Sequence, residues 1–105
     1  MKLAEIIEAL KTGSINNLLD QTSGLLGHNL IFIYAELSVN VDAEFHLIID
    51  ETARGKDYRE NDTYYEVLCQ LSVLDELVRE YSKIYPRKTS DILAIDIVDH
   101  IENNL

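Results

Sequence analysis

The stretch "ELSVNVDAEFHLIIDE", residues 36–51, decides whether this chain folds as a helical bundle or contains a β-sheet. Between Leu37 and Leu47 every odd-numbered residue is apolar and every even-numbered residue is polar, which is the period of a half-buried strand. Yet Phe45, Ile48 and Ile49 are also spaced as one face of a helix. Because the same residues satisfy both periods, the flanking sequence has to separate the two interpretations.

The N-terminal segment predicts a short helix. Apolar residues recur on one helical face from Leu3 to Leu10, and Gly13 stands where a left-handed residue commonly ends a helix. Ser14 can cap a second helix over residues 15–24, which carries a weaker apolar stripe. The chain therefore begins with a helical pattern.

The C-terminal part of the chain predicts two more helices. Residues 63–86, "TYYEVLCQLSVLDELVREYSKIYP", keep helical spacing for about six turns, with Thr63 and Glu66 placed as a capping box. Residues 90–105 carry a second helical stripe, and Ser90 is its candidate N-terminal cap. Both flanks of the ambiguous stretch thus favour helices.

We therefore predict an all-α fold, a compact bundle of four to five helices, in which residues 29–54 form one long helix or two. The alternative is an α+β fold with a β-hairpin at about residues 29–50 packed on helices. It is favoured by the strand formers "IFIY" at residues 31–34 and by Asn40 as a turn residue. In either case the length fits a single globular domain over residues 1–105.

The charged segment of residues 54–62 lacks apolar periodicity and is predicted to be an exposed loop. Tyr58 and Tyr65 are expected to be exposed beside it, whereas Tyr64 is expected to pack inward with the predicted helix. An exposed tyrosine is a residue type that anchors protein interfaces. We therefore include Tyr58 among the candidate binding residues.

The compartment is predicted to be the cytoplasm. Glu5 and Glu8 interrupt the apolar pattern that a secretory signal would need, and no apolar run approaches the ~20 residues that span a bilayer.

Cys69 is the only cysteine, which excludes an internal disulfide and a cysteine-based zinc cluster. Its apolar neighbours predict a small core residue rather than a nucleophile.

The net charge of −10 is concentrated in two segments. Residues 12–53 hold six acids and residues 89–105 hold four, and neither segment contains Lys or Arg. Such segregation attracts a basic partner and repels phosphate backbones, so direct nucleic-acid binding is not expected. A basic cluster between these segments is explained by the helix dipole, which favours cations near a helix C-terminus. That cluster comprises Arg79, Lys83, Arg87 and Lys88.

These observations predict a small acidic protein-binding module whose partner is a basic protein. Its most specific form is an immunity or antitoxin-type inhibitor that masks the basic nucleic-acid-binding cleft of a nuclease toxin. Small acidic helical proteins do occur among immunity proteins and antitoxins, but this is an analogy of class that no motif of the chain carries. The candidate partner-binding residues are Glu36, Asp42, Glu44, Asp50, Glu51, Tyr58, Asp96 and Asp99.

Two other functions are compatible with the sequence. If the helices form as predicted, Asp42, His46 and Asp50 share one face and Asp96 precedes His100 by one turn, so a metal-dependent hydrolase or sensor is the first alternative. The second is a self-associating module, which would form a homodimer. Carboxylates near histidines are common in so charged a chain, and neither a phosphate-binding loop nor a nucleophile elbow occurs. We therefore predict no cofactor, and we favour a non-catalytic role while leaving enzymatic activity open.

Overall fold

A computed structural model describes residues 1–15, 30–49 and 56–104 of the chain. Within these ranges the chain forms three helices and four strands. In chain order they are α1 (Leu3–Thr12), β1 (Ile31–Glu36), β2 (Phe45–Ile49), β3 (Tyr58–Glu60), β4 (Thr63–Gln70), α2 (Leu71–Ile84) and α3 (Ser90–Asn104). The strands form one antiparallel sheet in the order β2-β1-β4-β3, which curls into a half-barrel. The protein is therefore an α+β protein.

The predicted all-α bundle, with its helix over residues 29–54, is wrong. The described part of that segment is a hairpin in which β1 and β2 pair, with Ile33 opposite Leu47 and Tyr34 opposite His46. The strand period prevails because β1 also pairs with β4 on its other side, and a third strand gives a hairpin the stability that it lacks alone. The alternative, a hairpin at about residues 29–50 packed on helices, is confirmed.

The helix predicted over residues 63–86 is wrong in its first third. Those residues form β4, which passes directly into α2 at Leu71. The predicted capping box does not form, because the Glu66 carboxylate instead accepts the Val39 backbone N–H at 2.9 Å. Helical spacing in this segment coincides with a run of β-branched and aromatic residues that also suits a strand.

The predicted loop over residues 54–62 contains the strand β3. Asn61 and Asp62 connect β3 to β4, and their φ angles of 51° and 67° are both positive. Two successive left-handed residues are the mark of a two-residue type I′ turn, whose twist matches that of the flanking strands. The dipeptide Asn-Asp was thus the sequence signal for this hairpin.

The helices α1 and α3 confirm their predictions. Gly13 ends α1 with φ = 76°, and its N–H donates to the Ala9 carbonyl. The Ser90 hydroxyl, expected to cap α3, instead donates to the Glu8 carboxylate of α1.

The helix predicted over residues 15–24 lies outside the described residues except for Ile15. In the described ranges no helix combines the length and apolarity required to cross a membrane.

The core lies between the helices and one face of the sheet. Alternate residues of β1 contribute to it, and fully burying each such aliphatic side chain stabilises the fold by roughly 1.5–3 kcal/mol. Cys69 packs against this core as expected, and burial raises the pKa of its thiol to about 12. The largest fully buried side chains are Leu3, Ile6, Ile7, Ile31, Ile33, Phe45, Leu71, Leu74, Leu93 and Ile97.

Candidate functional site

The predicted acidic residues Asp42 and Glu44 lie in the connection between β1 and β2, next to the N-terminus. The Glu44 carboxylate contacts the Met1 ammonium, and the Lys2 ammonium donates to the Asp42 backbone carbonyl. The positive charges come from a segment distant in sequence, so the spacing of the acids did not reveal them. This surface is therefore partly neutralised, contrary to the expectation of an uncompensated acidic face.

Glu36 and Tyr58 lie on the face of the sheet opposite the helices. Glu36 Oε1 lies 2.7 Å from His46 Nε2, and the His46 ring meets the Tyr65 ring edge-on at 5.7 Å. Tyr58 stacks on Tyr65 with ring centroids 5.0 Å apart and meets Tyr34 edge-on at the same distance. Desolvation by burial raises the pKa of Tyr58. This residue is a half-buried member of an aromatic cluster, so the expectation that it is exposed is wrong.

Tyr64 and Tyr65 also differ from their predicted positions, because they lie in a strand and not in a helix. Tyr64 and Tyr65 are neighbours in β4 and point to opposite faces, so they cannot take the positions expected on a helix. Tyr64 is exposed, and its hydroxyl donates to Asp57 Oδ2 at 3.0 Å. That hydrogen bond is the main cause that raises the pKa of Tyr64.

The predicted metal set does not share one helical face. Asp42 lies in a turn and His46 in a strand, while Asp50 and Glu51 lie outside the described residues. In the ranges that the structure describes, no group of three or more His, Cys, Asp or Glu side chains is placed to hold a metal ion. Asp96 does precede His100 by one turn of α3, but its carboxylate is paired with Lys88.

A cleft of about 340 Å³ lies between the C-terminal end of α2 and the exposed face of α3. Tyr81 and Tyr85 line it from α2 because residues four apart lie on one helical face. From α3, the same spacing presents residues 96, 99, 100 and 103. We call this feature the α2–α3 cleft; its lining residues are Tyr81, Tyr85, Lys88, Asp96, Asp99, His100 and Asn103.

The aromatic rings of the α2–α3 cleft are in contact with one another. The rings of Tyr81 and Tyr85 are 6.2 Å apart between centroids and inclined by 26°, so they stack with an offset. The His100 ring meets the Tyr81 ring edge-on at 6.1 Å. Both arrangements are among those that aromatic pairs prefer. The cleft therefore has a preorganised aromatic wall.

Charge in the α2–α3 cleft is unbalanced. Lys88 Nζ lies 2.8 Å from Asp96 Oδ2 and 4.0 Å from the centre of the Tyr85 ring. The hydrogen bond to Asp96 is the main cause that raises the pKa of Lys88, so this ammonium keeps its charge at neutral pH. Asp99 adds a second carboxylate, which accepts the Asn103 side-chain amide at 2.8 Å. Two carboxylates thus lie beside the one Lys among the residues that line this cleft.

An exposed apolar surface adjoins the cleft. A hollow of about 330 Å³ shares Tyr85 and Lys88 with the α2–α3 cleft and extends to Pro86 and Ile92. Ile92 and Ile95 are 45% and 53% exposed on α3. Both lie off the helical stripe that enters the core, which is the sequence signal that could have revealed this surface.

The predicted residues thus fall into separate parts of the fold. Asp96 and Asp99 line the α2–α3 cleft, whereas Glu36 and Tyr58 belong to the sheet and Asp42 to the hairpin connection. Tyr81 and Tyr85 lie within the helix predicted over residues 63–86, and Lys88 was interpreted as a helix-end cation, so the cleft itself was not predicted. Comparison of the chain with protein-family models, curated proteins and solved structures finds no match.

Proposed function

We propose that this protein is an acidic protein-binding module that engages a basic partner protein through the α2–α3 cleft and the exposed face of α3. The observation that carries the proposal is the combination of stacked tyrosines, exposed isoleucines and excess carboxylate on one surface. Protein interfaces typically have an aromatic and apolar centre surrounded by a polar rim. An open cleft with this composition suits a protein partner better than an enclosed small-molecule site.

The negative charge of α3 is the reason for proposing a basic partner. Four acids and no Lys or Arg occur in this helix, and Asp99 and Glu102 are exposed on it. A predominantly acidic surface accelerates association with a basic partner, and salt screens that attraction. The same surface repels phosphate, which argues against direct nucleic-acid binding.

The most specific form of the proposal is an immunity or antitoxin-type inhibitor acting in the cytoplasm. A nuclease must be basic where it holds phosphate, and an acidic helix face can occupy such a groove in place of nucleic acid. We assign this role to α3 rather than to the hairpin connection, because Met1 and Lys2 supply positive charge beside Asp42 and Glu44.

The first prediction tests this assignment by charge reversal. A double variant, Asp99→Lys with Glu102→Lys, should lose most of the binding to the host partner. The two substitutions remove the negative potential that attracts a basic partner and the acidic side chains at the edge of the proposed interface. The matched control, Glu76→Lys with Glu80→Lys, makes the same change in net charge on the exposed side of α2 and should bind normally. Host proteins retained by each form are quantified at low and physiological salt, and retained nucleases are assayed for inhibition.

Three results would contradict the proposal or the surface assigned to it. One is that the wild-type protein retains no basic protein at either salt concentration. The second is that both double variants retain the same partner as well as the wild type, since binding would then not depend on α3. Equal loss in both variants would show a dependence on net charge alone and would also reject the assigned surface.

A further inference from the structure

We propose that the α2–α3 cleft binds one cationic side-chain head, an ammonium or a guanidinium, supplied by a lysine or arginine of the partner. The identity of the partner rests on the proposed function, whereas the cation site is argued from the geometry of the cleft. The inference names the group that the acidic surface recognises, which the proposed function leaves open.

The chain itself shows how this cleft holds a cation. The Lys88 ammonium lies over the Tyr85 ring and is paired with the Asp96 carboxylate, at 4.0 Å and 2.8 Å respectively. A ring face attracts a cation through its quadrupole, and a carboxylate adds a charge-assisted hydrogen bond. One tyrosine and one aspartate thus contact an ammonium together here.

The same pair of residue types is repeated one turn further along the cleft. Tyr81 stands one turn before Tyr85 in α2, and Asp99 stands one turn after Asp96 in α3. Tyr81 meets the ring of His100, the residue that follows Asp99, so both steps lead to the same part of the cleft. In the described residues, no Lys or Arg pairs with Asp99. The repeat therefore provides a second cation position beside that of Lys88.

The charge of the α2–α3 cleft and its access from solvent both favour a cationic side-chain head as the ligand. Among the residues that line the cleft, Lys88 is the single Lys or Arg, whereas Asp96 and Asp99 supply two carboxylates. Asp99 and His100 are both exposed, so the head of a long side chain can reach this position from solvent. A guanidinium can stack on an aromatic ring and bond a carboxylate at once, and an ammonium can do both less directionally.

The second prediction tests the site with small probes in place of the partner. Nα-acetyl-arginine amide and Nα-acetyl-lysine amide should each shift the aromatic NMR signals of Tyr81 and His100 in a saturable way. Nα-acetyl-citrulline amide, the neutral isostere of the arginine probe, should not. Failure of both basic probes to shift these signals, or equal shifts with citrulline, would overturn the inference.

A substitution in the α2–α3 cleft can place a cation of the protein itself at the proposed second cation position. Asn103→Lys places an ammonium one turn from Asp99, and it should weaken binding of the basic probes by about two- to fivefold. The fold should be retained, because a cation suits the last turn of a helix. Glu76→Gln makes the same change in net charge away from the cleft and should leave probe binding unchanged. Equal probe binding by wild type and Asn103→Lys would overturn the proposed position.

The outcomes separate this inference from the proposed function. If the basic probes bind but no partner depends on α3, the cation site stands and the protein-binding proposal fails. If a partner is lost on charge reversal of α3 but binds Asn103→Lys as tightly as wild type, the proposed function stands and the cation site fails.

Discussion

Among the described residues, Cys69 has the largest change in pKa. It lies on the core side of β4, opposite Ile33, and burial raises the pKa of its thiol from 9.0 to about 12. Because the thiolate is the reactive form, the folded protein keeps this cysteine inert at physiological pH. The sequence predicted this correctly, since the apolar neighbours of the residue are the same on a strand as on a helix.

The third prediction follows from this shift in pKa. The unfolded chain loses the Cys69 proton near pH 9, whereas the folded chain keeps it until about pH 12, so stability is lost as the pH rises through that window. We expect the free energy of unfolding of the wild type to fall by about 1.4 kcal/mol per pH unit more than that of Cys69→Ala. Urea denaturation at several pH values measures the difference, and parallel curves would show that the thiol is not held neutral.

At the scale of elements, local signals predicted the ends of the fold and failed in its middle. The helix that Gly13 terminates and the helix that begins at Ser90 depend on residues close in sequence, and both are present. The pairing of β1 with β4 joins residues that are 29 to 38 positions apart, so no local sequence pattern could predict it. Of the candidate site, Asp96 and Asp99 were predicted, but their place in one cleft with Tyr81 depends on how two helices pack.

The fourth prediction concerns the turn between β3 and β4. Asp62 has φ = 67°, a conformation that glycine adopts without the steric cost borne by other residues. Asp62→Gly creates the favoured Asn-Gly turn and should stabilise the protein by up to about 1 kcal/mol, whereas Asp62→Val should destabilise it by about 1–2 kcal/mol. Thermal and urea denaturation measure both. A stabilising valine would be incompatible with a left-handed residue at this position.

At the scale of the whole molecule, the net charge of −10 opposes compaction of the fold. The described residues contain few ion pairs, and most acids on the surface face solvent. Self-repulsion of this kind destabilises a compact state and is reduced by salt. The charge that suits the protein to a basic partner therefore costs it stability when the partner is absent.

The fifth prediction is that salt stabilises the free protein. Between about 10 mM and about 150 mM NaCl the screening length falls from roughly 30 Å to 8 Å, so the melting temperature should rise. The Glu76→Lys and Glu80→Lys double variant carries −6 instead of −10, because each reversal adds two positive units, and its melting temperature should rise less. A fall with salt in the wild type would show that attractive ion pairs outweigh the repulsion.

β4 continues directly into α2, which limits where residues can be inserted into this chain. One residue inserted after Gln70 would rotate α2 by about 100° relative to the sheet, since a helix has 3.6 residues per turn. Leu71, Leu74 and Val78 would leave the core together, and Tyr81 would leave the cleft with them. Insertions at this junction should therefore be eliminated by selection, and homologues that vary in length should vary elsewhere.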